Sequence, residues 1–203
     1  MLKNYLKIAL RNVLKYKGYS LINILGLAIG MACCMVILLY VRHELSFDGF
    51  HSKADRLYRL NKIASSQDGS SEHHAISSGA MGRALVSTYP EVEQSVRVLP
   101  WFDDVLMTVG EKTLKVPSVV FADSNFFDVF DFKLLHGNPK TALANPLSIV
   151  LSQETAARFF GEQNPLGKTI VGQGDHLYTV TGIVENAPEN SHLDYNALVS
   201  WAT

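Results

Sequence analysis

The residues from Gly161 to Thr169, "GEQNPLGKT", end in Gly-Lys-Thr, the close of a nucleotide-binding P-loop. A P-loop places four residues between its first glycine and Gly-Lys-Thr, so that backbone N–H groups curl around a phosphate. Here Gly161 sits one position too early, and Glu162 puts a carboxylate where the glycine belongs. The order of elements is also reversed. A P-loop follows a strand and opens a helix. "SQETAARFFG" before it reads as a helix, with Ser152 as N-cap, Glu154 in the first turn and Gly161 as its terminal glycine. "KTIVG" after it reads as a strand, with Pro165 in the turn between. The stretch is expected to be a helix stop, not an ATP site.

The other reactive side chains form no complete set. His73 and His74 lie in a serine-rich stretch, expected to be a solvated loop, with no third ligand at metal-binding spacing. Cys33 and Cys34 are adjacent within an apolar run, which disfavours a local disulfide. C-x-x-C, H-E-x-x-H and G-x-S-x-G are all missing from the sequence. Asp103 with Asp104, and Asp128 with Asp131, are the available acid pairs, but turn and helix-cap roles account for them. Phe126, Phe127, Phe130 and Phe132 have near-helical spacing and are expected in a core. The sequence therefore predicts no catalytic, cofactor or metal site, and no enzyme.

The elements that would position these residues alternate between hairpins and helices, so an α+β fold is expected. "HSKADRLYRLNKI" starts with Ser52 and Asp55 in capping-box positions and runs towards a strand at 58–63. "KIASSQDGSSEHHAISS" reads as a polar loop, and a helix follows that ends near Pro90. "SVRVLP" and a hairpin turning at Gly110 read as strands. "DSNFFDVFDF" reads as a short helix capped near Asp123 or Ser124. "LSIVLS", a hairpin turning at Gly172–Gly174 and "SHLDYNALVS" complete the strands.

Charge is unevenly spread. Lys3, Lys7, Arg11, Lys15 and Lys17 precede any acidic residue, while the chain as a whole has net charge −1. The remainder is acidic, which gives no electrostatic case for nucleic acid. "GYSLINILGLAIGMACCMVILLYV", residues 18–41, contains no charge. As a helix it is about 36 Å long, enough to cross a ~30 Å hydrocarbon layer. It exceeds a signal-peptide apolar region and runs into "VRHELSFD" without a small-x-small cleavage site, so an uncleaved anchor is expected. The basic residues ahead of it predict a cytoplasmic N-terminus and an external body. In residues 1–17, the row Leu2, Leu6, Leu10, Leu14 runs beside the row Lys3, Lys7, Arg11, Lys15. Such a helix suits the inner membrane surface, leucines in the acyl boundary and cations at anionic lipid headgroups. Gly26 and Gly30 form G-x-x-x-G, the spacing at which a second helix can approach closely.

"YLKIALRNVLKYKGYSLINILGLAIGMA" followed by "ELSFDGFHSKADRLYRL" resembles the start of ABC-transporter permeases of the macrolide-exporter and cell-division type, the MacB/FtsX family. "SIVLSQETAARFFGEQNPLGKTI" followed by "YTVTGIVENAPENSHLDYNALVS" resembles that family's periplasmic core domain. The resemblance implies a bacterial inner-membrane permease subunit, its residues 42–203 being part of that domain. It implies a separate cytoplasmic ABC ATPase whose work moves the external domain during export or extraction of a substrate, a homodimer of the full permease, and a periplasmic adaptor. Residues 42–59 would be the stiff link between span and domain. Such permeases carry further spans, so the chain is expected to be their N-terminal part.

The rival reading is a single-pass anchored sensor or accessory protein that binds a ligand outside. About seventeen residues precede the span, too few for a folded output domain.

Overall fold

The computed structural model describes residues 2–65, 71–101 and 104–203. It divides into two units, Met1–Phe47 and Asp48–Thr203.

The first unit is helical. Helix α1 covers Leu2–Lys15 and α2 covers Lys17–Glu44. Tyr16, at φ −109° and ψ 57°, interrupts the helical backbone between them. Each four-residue step advances about 40° around α1, so the leucine and basic rows wind slowly round the helix side by side, about 100° apart. Leu6, Leu10 and Leu14 are all exposed. Among the described residues α2 is the one helix long and apolar enough to cross a membrane, its apolar stretch having a mean hydropathy of 2.6 and no buried residue.

The second unit is built on a mixed sheet. Strands β1 (Lys62–Ser65) and β2 (Ser71–His74) form a separate antiparallel pair. Helix α3 covers Met81–Thr88. The large sheet comprises β3 (Val98–Pro100), β4 (Val105–Val109), β5 (Lys112–Val116), β6 (Val119–Ala122), β7 (Leu134–Gly137), β8 (Ser148–Ser152), β9 (Thr169–Val171), β10 (Leu177–Val184) and β11 (Ala197–Ser200). Its order is β3-β6-β11-β8-β10-β9-β4-β5, with β7 pairing β10 beyond β9. Helix α4 is Phe126–Val129 and α5 is Gln153–Phe160.

Side chains on a strand alternate between faces. In β8, Ile149 and Leu151 enter one apolar cluster with Phe159 and Phe160 of α5, while Val150 enters another with Phe126 of α4. Strand β11 divides likewise, Ala197 and Val199 against Leu198. These central strands are buried on both faces, which explains their unbroken apolar runs.

The expected α+β class holds, and so does α5. Ser152 Oγ accepts the Thr155 N–H at 3.2 Å, Glu154 lies in the first turn, and Gly161 ends the helix at φ 60°. Three expectations need correction. The stretch expected as a polar loop contains the β1–β2 hairpin. The capping box at Ser52 and Asp55 does not form: only a single 3-10 turn, Ala54–Arg56, follows, without a side-chain cap. Asp123 does not cap α4, whose N-cap position is Asn125. Its carboxylate is engaged by Arg97 instead.

Candidate functional site

The most densely held polar constellation lies where the second unit begins. Asp48 adopts φ 55°, a left-handed conformation that aspartate tolerates better than most side chains. The chain then turns tightly: His51 N–H donates to Asp48 O at 3.2 Å and Ala54 N–H to His51 O at 3.1 Å.

Each end of this turn is tied to a distant part of the chain. Asp48 N–H donates to Asn190 O at 2.9 Å. The Asp48 carboxylate accepts His192 N–H at 3.0 Å and meets His192 Nδ1 at 2.8 Å. Ser52 N–H donates to Asp131 Oδ2 at 2.5 Å, and Lys53 Nζ to Asp128 O at 2.8 Å. Between them His51, only 4% exposed, accepts the Asp131 N–H on Nδ1 at 3.1 Å. Its ring lies against Phe50, Phe130 and Phe132, with centroids 4.1, 5.4 and 5.1 Å away. Phe132 in turn stacks on Phe126. Of the phenylalanines expected as core, Phe126 and Phe132 are buried while Phe127 and Phe130 pack against them partly buried, and this turn is anchored on that cluster.

The electrostatics follow from these contacts. Burial raises the Asp48 pKa, but the His192 hydrogen bonds outweigh it and hold the carboxyl below its ordinary value. Hydrogen bonding from Ser52 holds Asp131 low. Burial pushes the His51 pKa down, against the pull of Asp48 and Asp131. A backbone N–H can only donate, so His51 Nδ1 bears no proton and the neutral ring carries its proton on Nε2.

A second constellation joins Arg97, just before β3, to Asp123, just after β6. Asp123 accepts Arg97 N–H at 2.8 Å and the Arg97 guanidinium at 2.5 to 3.1 Å. The guanidinium carbon lies 4.4 Å from the Trp201 ring centroid. An open cavity of about 420 Å³ beside them is lined by Arg83, Leu143 and Trp201.

The other sequence candidates fall elsewhere. Gly167 N–H donates to Val180 O at 2.8 Å and Lys168 N–H to Pro165 O at 3.1 Å, while Lys168 Nζ meets Gln163 Oε1. The amides that would cradle a phosphate are spent on strand β10 and on a turn. His73 and His74 are neighbours on exposed β2, opposite Ile63 and Lys62, and so point to opposite faces. Among the described residues no group of three or more His, Cys, Asp or Glu could hold a metal. Asp104 pairs with Lys115 at 2.6 Å, whereas Asp103 lies outside the described residues. Gly26 and Gly30 sit on α2 with open space where a Cβ would be. Lys3, Lys7, Arg11 and Lys15 are exposed on α1.

Sequence reading named Asp131 only as an acid or cap and did not connect it to Ser52, 79 residues away. His51 and Asp48 passed unnoticed within "ELSFDGFHSKADRLYRL". The available signal was that this quoted stretch is polar yet carries two phenylalanines and a histidine.

The description "MacB-like periplasmic core domain" matches residues 20–203. The chain belongs to this family. The resemblance to MacB/FtsX permeases, read from the two ends of the sequence, is thereby borne out. Among solved structures, a domain of a protein described as a permease from Porphyromonas gingivalis is similar at 23% identity and a TM-score of 0.60, covering 68% of this chain and 60% of that one. The periplasmic region of MacB from Actinobacillus actinomycetemcomitans matches at 24% identity and a TM-score of 0.42, over 54% of this chain and 49% of that one. The extracellular domain of the noncanonic ABC-type transporter YknZ from Gram-positive bacteria matches at 19% and 0.40, over 52% and 54%. The chain thus spans about half to three-fifths of the solved domains it matches. No curated protein matches.

Proposed function

We propose that this MacB-like chain is the N-terminal part of an ABC permease subunit of a bacterial inner membrane. Its N-terminus is cytoplasmic and its sheet unit periplasmic, and it passes the work of a cytoplasmic ATPase to that unit during export or extraction of an envelope substrate. The observation that carries the reading is the double anchoring of the turn at Asp48–Lys53. Only three residues separate Glu44, the last of α2, from Asp48. A pull or twist on α2 would therefore be delivered to two places at once: the segment before β11, through Asn190 and His192, and the segment after α4, through Asp131. Short connections with fixed hydrogen bonds transmit displacement, whereas flexible linkers absorb it. On this reading the basic row Lys3, Lys7, Arg11 and Lys15 holds α1 to anionic lipid headgroups. The complete permease is a homodimer, and a periplasmic adaptor is a further partner of the sheet unit.

The test is to isolate the native membrane complex with this chain as bait, after cross-linking in intact cells. A cytoplasmic ATPase with an intact G-x-x-x-x-G-K-[ST] is expected in the complex. Protease added to spheroplasts should cleave the sheet unit and spare α1. Recovery of the chain without any ATPase, or cleavage of α1 from outside, would overturn the reading.

A further inference from the structure

We propose that the turn at Asp48–Lys53 is a proton-sensitive latch, with His51 as the trigger: protonation of its ring releases the Ser52–Asp131 end while the Asp48–His192 end stays fastened.

The argument begins with the Nδ1 atom. It is the acceptor for the Asp131 N–H, and the ring is enclosed by Phe50, Phe130 and Phe132. A proton on Nδ1 would turn this acceptor into a second donor facing the first, and would place a cation among three aromatic rings with little water. Either the ring leaves or the Asp131 backbone does. Ser52 is bonded to Asp131 and follows His51 directly, so parting His51 from Asp131 pulls the Ser52 contact apart as well.

The charged groups around the ring set the balance. Asp48, on the same turn, and Asp131, from the segment after α4, both attract a proton to His51, and burial outweighs them. Lys53 lies near Asp131 and helps to keep its carboxyl charged. His192 faces Asp48 from the segment before β11. Its backbone N–H and its ring both meet the Asp48 carboxylate, so this end of the turn is held by contacts that do not pass through His51. Acid therefore does not simply undock the segment. It converts a doubly tied connection into a singly tied one, with the remaining tie next to α2 in sequence.

The sign of the effect is fixed by His51. Its folded pKa lies below the ordinary 6.5, so its contribution is complete above about 6.5 and is lost as pH falls through the folded value. The latch rests on the functional reading only for its compartment, because a periplasmic face meets the pH outside the cell. The contacts themselves belong to the sheet unit and stand whether or not an ATPase is coupled to it.

Amide hydrogen exchange on the full chain in detergent tests the latch, read at Ser52 and Asp131 between pH 7.5 and 5 and corrected for intrinsic exchange. Protection at both amides is expected to fall about tenfold or more on acidification, while that of Asp48 and His192 holds. In His51→Asn the amide oxygen can replace Nδ1 as acceptor and does not titrate, so protection should become independent of pH. Should that variant fail to fold, His192→Asn supplies the second test: the transition at Ser52 and Asp131 must persist there. Unchanged wild-type protection across the range overturns the latch, as does an identical transition in His51→Asn or its loss in His192→Asn. None of these outcomes depends on finding the ATPase.

Discussion

Asp123 and Arg97 make the most complete side-chain pairing in the molecule's described part, and its value depends on how much water reaches it. The side chains are 21% and 24% exposed. Burial alone would raise the Asp123 pKa, but the Arg97 bonds outweigh it and hold the carboxyl below its ordinary 3.8. A depressed carboxylate contributes stability above about 3.8 that disappears as pH falls through the folded value. Asp123→Asn should therefore cost about 2 kcal/mol at pH 7, below the range for a fully buried pair because the pair is partly wet. It should also flatten the loss of stability below pH ~4. Denaturant titration of the full chain at pH 7 and pH 3 checks both. An equal loss at the two values would mean that the charge pairing is not the stabilising element. Trp201 adds a stacked face to the guanidinium, one of the ways arginine differs from lysine at a site like this.

At the scale of elements, β10 is the hub of the sheet. It pairs β8 in parallel along one edge, and on the other it shares its length between β9 and β7. The β7 contact is closed by two glycines in register, Gly137 opposite Gly182. Gly137 has φ 103°, and a Cβ there would stand 2.5 Å from Thr181 O. Gly137→Ala should cost about 3 kcal/mol, combining a strained backbone with a clash that only strand displacement relieves. A thermal melt of the full chain reads it, and a loss under about 1 kcal/mol would mean that β7 contributes little. This part of the fold was not legible in the sequence. Helix α5, its cap and its terminal glycine were, because caps and apolar periodicity act within a few residues. The hairpin at Gly110 was legible for the same reason. The parallel pairs β8–β10 and β6–β11, and the β1–β2 hairpin inside a serine-rich stretch, were not. Strand partnership is set by packing against neighbours that sequence distance hides. The turn at Asp48–Lys53 was missed on the same grounds: its partners lie 75 to 144 residues away.

At the scale of the whole molecule, the question is what α2 is built to meet. A glycine inside a helix costs roughly 1 kcal/mol relative to alanine, so two of them four residues apart need a reason. Among the described residues no close contact gives one, since nothing lies within 4 Å of a Cβ added at Gly26 or Gly30. Gly26→Leu and Gly30→Leu should thus leave the folding of both units intact, or improve the helix slightly. If the proposed permease packs another helix against this face, the same substitutions should lower its assembly, because leucine keeps the backbones apart. The measurement is the fraction of wild-type and variant chain recovered in the assembled complex, beside circular dichroism of the purified chain. Intact helicity with reduced assembly supports a partner helix at this face. Intact helicity with undiminished assembly in both variants would mean that the glycines face lipid, and the packing surface of α2 would have to be sought on another side of the helix.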